Sequence, residues 1–356
     1  VNHIPEGETL FLNGRLICLG DSFDRLLEVV ERGAAVVQDK VVLAARLPES
    51  LSAGFYKDLE GSLRRNEKPE SPSGMPKEGP PQGSHVVQYL WELIGLNPEV
   101  IAEDFSWAKD RPHRDQPETA LGAQILGKKN IVFRDNVVLE PGSILDGRHG
   151  PIILGEGARL EHQSVVLGPA YIGPRSVVKM GARLYDGISL GPTSKMGGEV
   201  EAVITQGFTN KQHDGFLGHA YLGSWTNLGA ATNNSDLKNN YSTVRVWTPD
   251  GEVDTGEIFV GLFMGDHSKT AIGTKLNTGT VVGFSSNLFG SGFPPKHIPS
   301  FAWGGAQNLM PYDFEKAKEV ARKVMHRRKV EMEPADEVLF QQIFDLDGLG
   351  EAHPTS

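Results

Sequence analysis

With 356 residues, 39% hydrophobic and 22% charged, the chain has the apolar content of a packed protein and the length for two domains or one elongated domain with appendages. A formal charge of −10 argues against a general binder of nucleic acid or of anionic membranes, although a local basic patch can still grip a phosphate. The single cysteine, Cys18, excludes an intrachain disulfide and a cysteine-based zinc site, and with no basic-then-apolar stretch at the start it points to a reducing cytoplasm.

The chain opens on Val1, which reads as a start inside a longer protein. Residues 8 to 46 carry short apolar runs, Thr9 to Leu12, Leu16 to Leu19 and Ala34 to Leu43. Between them, Phe23, Leu26, Leu27, Val29 and Val30 mark an amphipathic helix from Ser22 to Arg32. The Ser/Pro/Gly-rich stretch ending Pro80-Pro81-Gln82-Gly83 makes residues 60–86 a flexible segment. His85 to Leu96 has helical spacing, and Asn97-Pro98 predicts a second short helix with Asn97 as its cap. Residues 1–120 therefore read as a partial α/β region.

From Leu154 a period of six takes over. Leu154, Leu160, Val166, Ile172, Val178, Leu184, Leu190 and Met196 follow one another without a slip, and Ala158, Ser164, Ala170, Ser176, Ala182 and Ser194 supply a small residue two positions before the next repeat, with Ile188 the exception. Neither a helix nor an alternating strand has this period; a hexapeptide β-solenoid does, with the aliphatic at the centre of a triangular prism and the small residue beside the corner. The register starts softly at Leu126, Val132, Val138 and Ile144, slips across residues 147–151, breaks over 197–215, returns at Phe216, Leu222 and Leu228, breaks at 233–258 and resumes at Val260, Ile272, Thr278 and Phe284. Asp266 falls at one inward position. The repeats predict six or seven coils over residues 121–303, with the interruptions projecting as loops where function gathers. Residues 304–356 form a helical extension: Asp313 caps a helix with a basic last turn, a second helix follows Pro334, and the two cover one end of the prism.

Titratable groups concentrate between Asn210 and Gly223, where the register resumes. His219 is a candidate general base, since imidazole titrates near neutrality and glycines on both sides leave room for a ligand. Trp303 reads as an aromatic plug on the core end, and the basic run 326–329 as a solvated helix end. His149, His162, His213, His219 and His267 raise the question of zinc, as in γ-class carbonic anhydrases. His213 and His219 stand six apart and fall on different prism faces, so no metal site is expected.

Gly218-His219-Ala220-Tyr221-Leu222-Gly223, then Asn227-Leu228-Gly229-Ala230 and Asn240-Tyr241, resemble the acetyltransferase half of the bifunctional N-acetylglucosamine-1-phosphate uridyltransferase/glucosamine-1-phosphate acetyltransferase family. The chain as a whole resembles a divergent bacterial branch of it described as sugar nucleotidyltransferases. The resemblance implies a mainly β fold, a left-handed parallel β-helix acyltransferase domain over 121–303, preceded by a nucleotidyltransferase-like α/β region and followed by C-terminal helices. It implies acetyl transfer from acetyl-CoA to an amino sugar phosphate, and a homotrimer with no nucleic acid, membrane or metal partner. In it His219 matches the base. Tyr221, Asn227, Asn240 and Tyr241 match substrate contacts, as do Lys179, Lys195 and Lys211 for the phosphate. Ala230, Gly261 and Gly279 fall at the cofactor. Leu262 stands where the family has a small hydroxyl residue, and no Gly-rich nucleotide loop opens the chain, so uridyl transfer is not expected. A sugar-nucleotide-binding or nucleotidyltransferase-related protein without acetyl transfer is the alternative.

Overall fold

The computed structural model describes residues 7–64, 74–114 and 117–347, in two compact units, residues 1–89 and 90–356. In the first, a four-stranded sheet runs in the order Thr9–Leu12, Val41–Leu47, Ala35–Gln38, Lys77–Glu78. Helix α1 (Ser22–Glu31) covers one face with Leu26, Val29 and Val30 against Val36 and Leu43. Helix α2 (Glu49–Arg64) covers the other with Phe55 against Val42, Ala45 and Leu47. Both sheet faces are buried, so Val41–Leu47 reads as a near-continuous apolar run rather than an alternating one. Inside the segment read as a linker, residues 60–64 end α2, and Lys77–Glu78 and Ser84–Val86 are strands; residues 65–73 lie outside the described residues.

The second unit is a three-sided parallel solenoid, the left-handed β-helix expected. The eight aliphatics from Leu154 to Met196 are at most 1% exposed, and so are the small residues beside them. Each coil stacks in register: Leu160 beside Val178 beside Met196 on one face, Val166 beside Leu184 on the second, Ile172 beside Leu190 on the third. Burying each such side chain contributes roughly 1.5–3 kcal/mol. The prism is taller than the six or seven coils expected. Among the described residues one face carries eleven strands, all parallel except the last, Leu309–Pro311, which runs antiparallel to Ala302–Gly304 and closes that edge. Coils with irregular lengths or polar inward residues had escaped the count.

Those irregular coils also correct the register. Residues 197–215 are not a break. Met196 pairs with Lys211, fifteen residues on instead of eighteen, and the strand Glu199–Thr205 bends at Ala202 (φ 50°) to pair on two faces. The next strand, Phe216–Leu222, follows it, with His219 (φ 45°) at the same corner. After the insertion at 233–258 the inward residues are Met264, Thr270, Leu276, Val282 and Leu288, whereas Ile272 is 77% exposed. Leu228 pairs with Thr270, a 42-residue step of seven hexapeptides, so the phase of Leu222 and Leu228 carries straight through the insertion. Asp266 is not inward: it is half-buried, and its Oδ1 accepts the Ser224 N–H at 2.9 Å. At the start of the prism Phe133, Leu139 and Leu145 fill the centre, one residue beyond the positions expected.

Helix α3 (Leu90–Lys109) is one continuous helix with Pro98 inside it, not two. Asn97 is therefore no cap. Its Nδ2 donates to the Gly187 carbonyl at 2.8 Å and its Oδ1 accepts from Ser189 Oγ at 2.7 Å, fastening the helix to a prism corner. Helices α4 (Phe314–Arg327) and α5 (Pro334–Asp347) pack through Ala317, Ala321 and Phe340 on Phe284 and Phe301. Asp313 caps α4, accepting the Lys316 N–H at 2.9 Å.

Candidate functional site

His219 owes its position to the shortened coils. The corner it occupies holds a left-handed conformation that non-glycine residues seldom adopt, and the side chain stays only 22% exposed. Its Nδ1 lies 2.8 Å from Oδ2 of Asp236, and its ring stacks on Phe259 with centroids 5.2 Å apart. Asp236 comes from the segment that interrupts the prism, and Phe259 directly follows it. With Asp236 ionised, Nδ1–H donates to the carboxylate, which leaves Nε2 with its lone pair and makes it the basic nitrogen.

The backbone around this pair is tightly set. Asn234 brackets Gly218: its Oδ1 accepts the Gly218 N–H and its Nδ2 donates to the Gly218 carbonyl, both at 2.9 Å. The Gly261 N–H donates to the His219 carbonyl, and the Val260 N–H to that of Asp236, each at 2.9 Å. A Cβ on Gly218 would stand 2.3 Å from Asp236 Oδ2, and one on Gly261 1.9 Å from the Gly218 carbonyl oxygen, so both glycines are required by close approach.

His219 lines a cavity of about 530 Å³ between α3 and the corner. Glu92, Asp186, Glu201 and Glu257 bring four carboxylates to its wall, Trp91 and Phe259 supply apolar surface, and among the described residues no lysine or arginine lines it. Such a wall favours a cationic group such as an ammonium.

The other residues expected at a site scatter. Lys179 Nζ lies 2.6 Å from Oε2 of Glu161; burial works against that carboxylate, yet the bonds from Lys179 and the Met180 N–H hold it below its ordinary range. Lys211 is a correction: it is 1% exposed at an inward position, and its Nζ donates to the carbonyls of Gly197, His213 and Gly215 at 2.7–3.1 Å. Burial lowers its pKa to about 8. It is a core residue out of reach of a ligand. Lys195 and Asn227 line a different cavity. Tyr221 packs against the cluster of Ile94 and Phe263, and its hydroxyl meets Gln206 Nε2 at 2.5 Å. Asn240 caps its own loop by accepting from Ser242, and Tyr241 is 71% exposed beside it. The Ala230 carbonyl accepts the Gly273 N–H at 2.7 Å; Gly261 supports His219; Gly279 meets the backbone of Arg245. Leu262 is buried in the prism core. Asp236, Asn234 and Phe259 were missed, and the signal available was that they stand at the two ends of the inserted segment adjoining the histidine coil.

Residues 2–112 match the family described as sugar nucleotidyl transferase. The chain is 35% identical over 120 residues to the bifunctional protein GlmU of Streptomyces coelicolor, covering 29% of this chain and 24% of that protein. With the GlmU of Bordetella parapertussis it shares 27% over 194 residues, 47% of this chain and 41% of the other. An uncharacterized acetyltransferase, YaiX, of Escherichia coli O6:K15:H31 is 21% identical over 190 residues, 51% of this chain and 78% of its own length. The chain thus spans a quarter to two-fifths of the GlmU relatives it matches. Among solved structures, the UDP-N-acetylglucosamine acyltransferase of Francisella novicida aligns with 65% of this chain and 85% of its own at 12% identity and a TM-score of 0.36. The sequence similarities support the resemblance to a divergent GlmU-like branch.

Proposed function

We propose that this chain is an acyltransferase that moves an acetyl group from acetyl-CoA to the amino group of an amino sugar phosphate, with His219 as base and Asp236 as its positioning partner. The observation that carries the reading is the His219–Asp236 pair at 2.8 Å on the wall of a carboxylate-lined cavity. An amino sugar arrives as an ammonium, which the acidic wall attracts. The ammonium first gives up one proton to solvent, and Nε2 of His219 takes a second from the resulting amine as its nitrogen bonds to the thioester carbonyl carbon. The tetrahedral intermediate then expels the CoA thiolate, which receives that proton back from the imidazolium. Asp236 keeps the ring in the reactive tautomer and stabilises its charged form. Residues 2–112, matched to the sugar nucleotidyl transferase family, belong in this reading to a nucleotidyltransferase-like region without transfer of its own.

Among the described residues no lysine or arginine lines the cavity, and this reading includes the homotrimer that the family resemblance implies, in which a neighbouring protomer supplies a cation for the acceptor's phosphate. The test is release of free thiol from acetyl-CoA with glucosamine 1-phosphate, and with glucosamine as the phosphate-free control. His219→Ala is expected to lower kcat by about 10²–10⁴, and Asp236→Asn to lower it with KM little changed. Turnover that survives His219→Ala would remove the histidine from the mechanism. Binding of a sugar nucleotide with no thiol release from any amino sugar would favour recognition without transfer.

A further inference from the structure

A second cavity, of about 270 Å³, lies between α4 and the prism. Its floor is an outward ladder in strict register: Lys195 pairs with Asn210, Asn210 with Asn227, and Asn227 with Lys269. At the inter-strand spacing of ~4.8 Å this strip of ammonium and amide groups is about 14 Å long. Phe208 and Trp225 also line the cavity; they stack 3.9 Å apart at a 10° interplanar angle, at successive left-handed corners. Arg327 and Arg328, in and just after the last turn of α4, close the opposite side.

Four cations therefore surround one small space in a chain whose net charge is −10. No carboxylate lines it, and among the described residues none of the four is ion-paired. Burial lowers the pKa of Lys195, and the charges of Arg328, Lys179 and Arg327 push it further down; burial alone lowers Lys269 to about 8, its Nζ donating to the His267 carbonyl at 2.6 Å. Uncompensated like charges at this proximity call for an anion. Guanidinium and ammonium donors beside amides suit phosphate oxygens, and an aromatic pair at the edge suits a planar ring.

We propose that the ladder of Lys195, Asn210, Asn227 and Lys269, together with Arg327, Arg328 and the stacked Phe208–Trp225 pair, is a nucleotide-binding site separate from the His219 cavity, taking the phosphate and the base of its ligand. The volume falls just below the ~300–1,000 Å³ of cavities that enclose a whole ligand. The site thus holds the phosphorylated, ring-bearing end and leaves the remainder outside. Both CoA and a nucleoside diphosphate sugar present such an end.

Calorimetric titration of the full chain with CoA, with UDP-N-acetylglucosamine and with inorganic phosphate tests this. One of the two nucleotides is expected to bind at least tenfold more tightly than phosphate, identifying the source. The double variant Arg327→Gln/Arg328→Gln is expected to weaken that binding at least tenfold, and Lys323→Gln, an exposed charge loss on the same helix, to leave it unchanged. Trp225→Leu is expected to weaken the nucleotide and not phosphate. No binding of either nucleotide, equal binding of phosphate, or affinity indifferent to Arg327→Gln/Arg328→Gln would each overturn the assignment. Because the readout is binding, the result is independent of acyl transfer at His219.

Discussion

Lys211 puts an ammonium at the centre of an aliphatic prism, and the consequence is a stability that climbs with pH. The folded pKa of about 8 lies below the ~10.4 of an unfolded lysine. A base with a depressed folded pKa leaves the unfolded chain holding the extra proton between those values. The penalty is therefore fully present below pH 8 and is relieved as pH rises toward 10.4. The difference corresponds to roughly 3 kcal/mol at pH 7, of which about 2 kcal/mol is recovered by pH 9.5. Full burial, at 1% exposure, means that solvent does not screen the charge. Other lysines titrate in the same range, so the assay is urea unfolding of the wild type and of Lys211→Met, side by side at pH 7 and 9.5. Met fills a similar volume without a charge, and the gap between the two proteins is expected to shift by about 2 kcal/mol in favour of the wild type at the higher pH. A gap that stays flat across that window would mean the ammonium is not held in the prism core.

Two further outcomes follow from the packing around His219 and His267. Gly218→Ala places a methyl group 2.3 Å from the Asp236 carboxylate and 2.5 Å from the Phe216 ring. It is expected to displace Asp236 and depress kcat at least tenfold, read by thiol release, with thermal unfolding as the check that the prism persists. His267, 6% exposed with a buried Nδ1 that has no hydrogen-bond partner among the described residues, has its pKa lowered to about 3, by burial first and the nearby Lys269 second. The unfolded chain takes up a proton near pH 6.5 that the fold refuses, so about 3 kcal/mol of stability is lost between pH 7 and 4. His267→Phe, which keeps a ring against Phe284 and Phe340, is expected to flatten that acid limb in unfolding measurements.

The prism was legible where its coils repeat without interruption. From Leu154 to Met196 each inward position must be aliphatic because three faces meet at one narrow centre, and that demand is written in every sixth residue. Legibility failed where a polar group was accommodated inside by local bonding. Lys211 satisfies three carbonyls, and Thr270 pairs with Thr232 through hydroxyls 2.8 Å apart, so neither looked like a core residue. Asn97 failed for a related reason: an Asn-Pro pair has the local form of a helix start, and only the prism corner it bonds makes a continuous helix the better solution.

The sequence by itself determined the architecture and singled out His219, since a solenoid core and a histidine flanked by glycines are both local patterns. Tertiary structure alone decided which residues share its cavity. Asp236 reaches the imidazole across a coil whose length departs from eighteen, while Lys179, Lys195 and Lys211, close in the linear order of coils, end in an ion pair, a separate basic cavity and the core. In a stack of coils the face and corner of every side chain depend on the cumulative length of all preceding turns. A three-residue change in one coil therefore reassigns residues that no local pattern could place.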